Sequence, residues 1–470
     1  MDFQSNINHI SKELRKDQLS IRNRLQSILY DAYYIESLVS RGIARYPLIP
    51  NERCGLWYVP EDKKAESCYF KSTDGHTGQW SFNLRRLNLH LLSIICREGG
   101  ICIVDSTRKG KKIPDALSKT IPIWCAVLNY IRFGEGDWLR TPQSTISESE
   151  HSQISEKISK FADDAVQKGI ITAEKLKMLE KPLMPEWYYP GAKSQSDDKM
   201  AQYYYVQCVT ASKRTNSAGG SQMSIPENSW YYVQGSADDH ELWATRDICR
   251  GKLTPEFFWK TVVKSNDLID DYGFIKNSVS DAQLIQKMNE LYESVSDSSR
   301  ESTQSIEVTQ VKNANCDTGL SFGKIESNLE YSSLILYRKV VILSETWKAV
   351  NIPEKEEEEG KKEIEILQYE VESSKKGSKQ LREIFPKLID LLLKCEDGAI
   401  LVLCDTGKDL SVVIVLVLLC LKFDLNWAPI AVYPQVDKTL VKQHLGLLSE
   451  LRKINPSRNS LQSANSYLMK

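Results

Sequence analysis

Ile400-Leu401-Val402-Leu403-Cys404-Asp405-Thr406-Gly407-Lys408-Asp409-Leu410-Ser411 reads as a buried strand, a tight glycine turn and the opening of a helix. Four apolar residues in a row suit a strand covered on both faces, and the apolar run Leu410 to Leu421 suits a core helix. That run is too short for the ~20 residues a membrane span needs, so no membrane segment is expected. A helix amino terminus behind a strand gathers backbone N–H groups at the positive end of a dipole. Cys404, Asp405, Thr406, Gly407, Lys408, Asp409, Leu410 and Ser411 are therefore candidate phosphate-binding residues.

Upstream, an amphipathic helix is predicted from about Ser378 to Lys394 and a strand within Leu334 to Leu343, which with the turn gives α/β order. Val295 to Asn328 is Ser, Thr, Asn and charge without periodicity, and reads as a linker. The expected domains are thus 1–295, a linker 296–328, and 329–470. The charged run Glu354 to Glu363 reads as a solvated insertion. In the first domain, residues 5–40 carry helical apolar spacing, Leu84 to Ile95 reads as helix, and 141–200 as polar helix and loop. Strand character is predicted at Cys54–Val59, Ile101–Val104, Tyr203–Val209 and Trp230–Val233, so the domain is a mixed α+β one.

Composition excludes whole classes. The chain has 470 residues with 61 Lys+Arg against 62 Asp+Glu, so bulk charge cannot carry nucleic-acid binding and any polyanion must meet local basic clusters. At 41% hydrophobic residues it can bury a core in each domain. Eleven cysteines, an odd number with no CxxC pair, support neither a zinc ribbon nor a disulfide framework. The charged amino terminus, MDFQSNINHISKELRK, lacks the apolar core of a secretory signal, so a soluble, cytoplasmic protein is expected.

Three segments of the first domain concentrate phosphate- and metal-handling groups. Ser72, Thr73 and His76 lie in one polar turn, and Arg85 and Arg86 open the run after it. Behind the strand 101–104 come Asp105, Ser106, Thr107, Arg108, Lys109, Lys111 and Lys112, where hydroxyls supply directional donors and the cations neutralise a diphosphate. A solvated basic loop is the equal alternative. Asp238, Asp239, His240 and Glu241 after a glycine turn suit Mg²⁺ coordination or proton abstraction, or else an acidic helix start.

The carboxy-terminal turn resembles the phosphate loop of cysteine-dependent dual-specificity phosphatases, C-x-x-G-x-x-R-S, with Cys404, Gly407 and Ser411 in place and Leu410 where the arginine belongs. Without a bidentate cation on the phosphoryl oxygens, thiolate attack lacks its support, so phosphate binding without phosphatase chemistry is expected. Taken together, RCGLWYV (53–59), YFKSTDGHTGQWSFNLRRLNLHLL (69–92), DSTRKGKKIPDALSKTIPIWCAVLN (105–129), YYVQGSADDHELWA (231–244), ILVLCDTGKDLS (400–411) and NPSRNSLQSANSYLM (455–469) resemble the initiator tRNA phosphoribosyltransferases of fungi and plants.

That resemblance implies an α/β chain with a phosphatase-like carboxy-terminal domain, and an enzyme that moves ribosyl phosphate from 5-phosphoribosyl-1-pyrophosphate to the 2′-hydroxyl of adenosine 64 in initiator methionine tRNA. It implies Mg²⁺ or Mn²⁺, a monomer, and no DNA or membrane partner. On its terms Asp238, Asp239, His240 and Asp105 are candidate catalytic residues, Asp238 and Asp239 also candidate metal ligands, and the 72–76, 105–112 and 404–411 groups candidate donor or phosphate contacts. Arg85, Arg86, Lys213, Arg214, Arg452, Lys453 and Arg458 are the candidate tRNA contacts, positioning the helix without reading sequence. A weak phosphatase acting through Cys404 and a non-catalytic RNA-binding scaffold are the competing readings.

Overall fold

The computed structural model describes residues 18–52, 54–108, 110–192, 202–215, 221–226, 228–238, 248–251, 253–298, 307–325, 334–344, 364–371, 375–395 and 399–469. The charged run 354–363 lies outside them. Helices and sheets alternate as a mixed α/β chain of two compact units. One holds 1–82, 91–164 and 172–297; the other holds 83–90, 165–171 and 298–470.

In the first unit α1 (Ile21–Ser40) is capped by Ser20, whose side chain accepts from the Asn23 N–H, and buries Leu25, Ile28, Ile35 and Leu38 at helical spacing. Strands β1 (Leu48–Pro50), β2 (Gly100–Asp105), β3 (Leu183–Tyr188) and β4 (Tyr204–Thr210) form a sheet in the order β1-β2-β4-β3, parallel throughout. Every residue of β2 and β4 is buried, as a parallel sheet covered on both faces requires. Helices α2 (Leu91–Glu98), α3 (Ile121–Phe133) and α4 (Glu148–Gln167) connect these strands. In the hairpin of β5 (Ser221–Ile225) and β6 (Asn228–Tyr232), β6 alternates strictly, burying Asn228, Trp230 and Tyr232, and Trp230 meets Tyr30 of α1 at 5.7 Å. Helix α5 (Asp281–Ser298) follows.

The second unit has a five-stranded sheet in the order β10-β9-β11-β8-β7, formed by β7 (Val308–Lys312), β8 (Asp317–Lys324), β9 (Lys339–Leu343), β10 (Glu365–Tyr369) and β11 (Ile400–Cys404). Only β7 runs antiparallel. Between β10 and β11 lies α6 (Lys375–Leu393), and after β11 come α7 (Leu410–Lys422), α8 (Lys438–Leu451) and α9 (Arg458–Leu468). Helix α7 is apolar all round because it is buried all round, with Leu410 to Cys420 in one core with Phe385 and Leu445. Among the described residues no helix is long and apolar enough to cross a membrane.

Four local expectations differ from the structure. Cys54–Val59 holds a single 3₁₀ turn, Gly55–Trp57, because Gly55 is pressed so close to the Val104 carbonyl that a Cβ would lie 2.2 Å from its oxygen. Helix begins at Leu91 and not at Leu84, since Asn88 adopts a positive φ of 52°. Residues expected to be linker carry β7 and β8, an edge pair where Val311 is buried among exposed polar neighbours and thus reads as loop. Strand β3 lies inside the stretch expected to be polar helix and loop.

Candidate functional site

The three polar segments of the first domain meet at the carboxy ends of β1, β2 and β4, and buried side chains join them. Beyond β1, Asn51 Nδ2 donates to Asp105 Oδ2 (2.8 Å) and to the Phe70 carbonyl (2.9 Å), while its Oδ1 accepts the Phe70 N–H (2.8 Å). Asp105 Oδ1 accepts the Ser106 N–H (2.8 Å), so this carboxylate is buried inside its own loop. The structure thus places this candidate catalytic carboxylate inside its own loop, with both oxygens hydrogen-bonded. The Ser106 hydroxyl bonds with Tyr58 Oη (3.0 Å), which also accepts the Ala237 N–H (3.4 Å). Thr107 and Ser212 exchange two bonds of 3.1 Å, tying the loop after β2 to the loop after β4.

Gln234 is the second tie. Its Oε1 accepts the Gly110 N–H (3.2 Å) and the Thr215 N–H (2.9 Å), and its Nε2 donates to the Lys111 carbonyl (2.8 Å). Gly235, at φ 69°, lets the β6 loop touch the β2 loop, where a Cβ would come within 2.6 Å of the Thr107 oxygen. Beneath them the Tyr232 hydroxyl donates to Asp31 (2.8 Å) and accepts the Lys213 N–H (2.7 Å). Burial drives the Asp31 carboxyl well above its usual range, opposed by the Tyr232 bond.

Above this scaffold Arg108 and Lys111 are exposed and Lys112 half-buried, its Nζ 6.0 Å from the Tyr189 ring. Asp115 gathers the cations and the first segment: its Oδ2 lies 2.8 Å from Lys111 Nζ and 3.1 Å from His76 Nδ1, its Oδ1 3.4 Å from Lys119 Nζ. Burial pushes this carboxyl up, but the Lys111 and Lys119 ammoniums and His76 outweigh it and leave it below the usual range. Lys119, buried, also reaches Glu150 Oε1 (3.0 Å) and Thr77 Oγ1 (3.3 Å). Ser72 and Thr73 sit in the 3₁₀ turn Ser72–Gly75 ahead of His76.

Lys109, Asp239, His240 and the Asp238 side chain lie outside the described residues. The divalent ion that the resemblance implies finds no fit among the described residues, where no group of three or more His, Cys, Asp or Glu is placed to hold one, and no step below runs through it.

In the second unit Cys404 is buried at the end of β11, with its Sγ 3.1 Å from Ser411 Oγ and 3.7 Å from Thr406 Oγ1. Gly407, at φ 64°, lies against β8, where a Cβ would come within 2.6 Å of the Lys324 nitrogen. Asp405 accepts from the Ser344 hydroxyl, and Asp409 Oδ1 accepts the Ser457 N–H (3.0 Å). Leu410 is 1% exposed and belongs to the core. The place of a phosphatase arginine is thus taken by a core side chain.

The seven candidate tRNA contacts separate. Lys213 and Arg214 are exposed on the loop after β4. Arg85 and Arg458 line one cleft of the second unit, and Arg86 Nε donates to Asn455 Oδ1 (3.1 Å) in the same unit. Two differ from the expectation: Arg452 pairs with Glu307 (2.8 Å) and Thr309 Oγ1 (3.2 Å), and Lys453 is buried at 3% exposure. Asn51, Tyr58, Asp115, Ser212 and Gln234 escaped the reading because each acts through a partner dozens of residues away. Asn51, Ser212 and Gln234 are marked in the sequence only by their position just past strands.

Residues 14–293 match the family described as the Rit1 N-terminal domain, and residues 365–468 match the Rit1 DUSP-like domain. A relative from Saccharomyces cerevisiae, tRNA A64-2′-O-ribosylphosphate transferase, is 36% identical, over 98% of this chain and 95% of its own. An uncharacterized protein of Schizosaccharomyces pombe is 34% identical over 95% of this chain and 94% of its own.

Proposed function

The chain belongs to the Rit1 family, and on that premise we propose that it transfers the 5-phosphoribosyl group of 5-phosphoribosyl-1-pyrophosphate to the 2′-hydroxyl of adenosine 64 in the T-stem of initiator methionine tRNA. It is a pentosyltransferase that modifies tRNA. In the reaction the 2′-oxygen bonds to C1 of the donor, the bond from C1 to the pyrophosphate oxygen breaks, and the hydroxyl proton passes to a base. Negative charge builds on the departing pyrophosphate, so cations and N–H donors fixed beforehand lower the barrier.

The observation that supports this assignment is the convergence of the three loops at the carboxy edge of a parallel sheet, the usual position of ligands in such sheets. Ser106, Thr107, Arg108, Lys111 and Lys112 are proposed to hold the donor pyrophosphate, with Lys109 beside them. Ser72, Thr73 and His76 complete that wall. Asp238, Asp239 and His240 stay as the candidates for the base, and Asp238 and Asp239 for binding Mg²⁺ or Mn²⁺. Lys213 and Arg214 are proposed tRNA contacts. The proposal includes a monomer that works in the cytoplasm and distinguishes initiator from elongator tRNA.

Intact mass of an initiator tRNA transcript, incubated with the full chain, Mg²⁺ and 5-phosphoribosyl-1-pyrophosphate, tests the reading. A gain of one ribosyl phosphate, absent with elongator tRNA and reduced at least tenfold in rate by Arg108→Ala, is the expected result. No mass gain despite tight tRNA binding would turn the assignment toward a scaffold.

A further inference from the structure

We propose that the cleft between α8 and α9 is a second anchoring surface for tRNA, binding its phosphodiester backbone on the carboxy-terminal unit; this rests on the transferase reading above. The cleft encloses about 730 Å³. Lys438 and Lys442, one helical turn apart, line it from α8, Arg458 lines it from the first residue of α9, and Arg85 lines it from the 83–90 segment of the same unit. Among the described residues no Asp or Glu lines it. Four cations around one apolar floor, with no carboxylate in the described lining, give the cleft a positive potential complementary to a polyanion.

The phosphatase-like turn supports this cleft from behind. Asp409 accepts the Ser457 N–H, and Ser457 in turn caps α9 by accepting the Ser460 N–H (3.0 Å) just where Arg458 projects. The Lys408 carbonyl accepts the Asn455 N–H (2.9 Å), and Asn455 Oδ1 holds Arg86, the neighbour of Arg85. With Leu410 in the core, the 404–411 turn fixes the segment that carries the cations, and the anion-binding role passes to the cleft.

The test measures affinity of the full chain for initiator tRNA across KCl concentrations, for wild type, for Lys442→Ala with Arg458→Ala, and for the charge-keeping pair Lys442→Arg with Arg458→Lys. Each lost phosphate contact should flatten the slope of log K against log salt by about 0.9, so the alanine pair flattens it by about 1.8. Its KM for tRNA rises at least tenfold, its KM for the donor holds, and the charge-keeping pair restores the slope. An unchanged slope and tRNA KM in the alanine pair would overturn the proposal. So would a loss that the charge-keeping pair fails to restore. Because the slope is read from binding, absence of transfer in the wild type would refute the transferase reading without obscuring the result for the cleft.

Discussion

Gly235→Ala tests the geometry of the donor site through one added methyl group. Gly235 has φ 69°, a left-handed conformation that costs an alanine about 1 kcal/mol. Its Cβ would stand 2.6 Å from the Thr107 oxygen and 3.0 Å from Arg108 Cα. Ordinary contact begins at 3.4 Å, so the loops must part by 3.4 − 2.6 = 0.8 Å, and both atoms are backbone that cannot swing aside. Overpacking of this kind costs about 1–3 kcal/mol more, for a total of about 2–4 kcal/mol. At about 2–4 °C per kcal/mol for a unit of this size, the first unit should melt on the order of 5–15 °C lower. The shift moves Thr107 and Arg108 by nearly the 1 Å that costs about 100-fold in rate. Single-turnover transfer at temperatures well below the melt, with KM for the donor, reads the effect. Gly42→Ala is the control, since Gly42 has φ 67° and nothing within 4 Å of a Cβ, and it should lose about 1 kcal/mol of stability with transfer intact. Wild-type rate and donor KM in Gly235→Ala, or an equal loss in Gly42→Ala, would refute the reasoning.

Lys119→Met removes the buried ammonium between Asp115 and Glu150 and should lower stability of the first unit by about 3 kcal/mol, read as a shift in urea midpoint; no shift would mean the pairs are not coupled to folding. Burial raises the Asp409 carboxyl above its usual 3.8, opposed by the Ser457 bond, so its contribution to folding is full below 3.8 and is lost as pH rises through the raised value. Asp409→Asn should therefore gain stability over wild type in chemical denaturation as pH rises above 3.8 and hold that gain once pH passes the raised value, and a gain that shrinks with pH would contradict this. Leu410→Arg should not confer hydrolysis of p-nitrophenyl phosphate, because the guanidinium would be forced into the core around α7 at a cost of several kcal/mol; phosphate release without loss of stability would refute that placement.

Several elements could be read from local pattern alone. The strand 400–404, the helix 410–422 and the strands 100–105 and 204–210 are dominated by apolar residues whose burial the local pattern demands. The turn 404–411 was recognisable because glycine, hydroxyls and a following apolar helix are neighbours in the chain. What escaped was polar and long-range. Gln234 looks like any turn glutamine until Gly110, Lys111 and Thr215 are brought around it, and β7 looks like linker until it pairs with β8.

The sequence by itself determined the α/β order, the apolar strands, the loops rich in hydroxyls and cations, and the family to which they belong, because each depends on residues adjacent in the chain. Tertiary structure alone decided which of these chemically similar groups do which work. It buried Asp105 on Asn51, engaged Arg452 with Glu307 and enclosed Lys453, while leaving Arg108 and Lys111 exposed and Arg85 and Arg458 facing one cleft. A cation's role depends on how much water and which opposite charges surround it, and those neighbours are supplied by segments hundreds of residues apart that meet only in the folded chain.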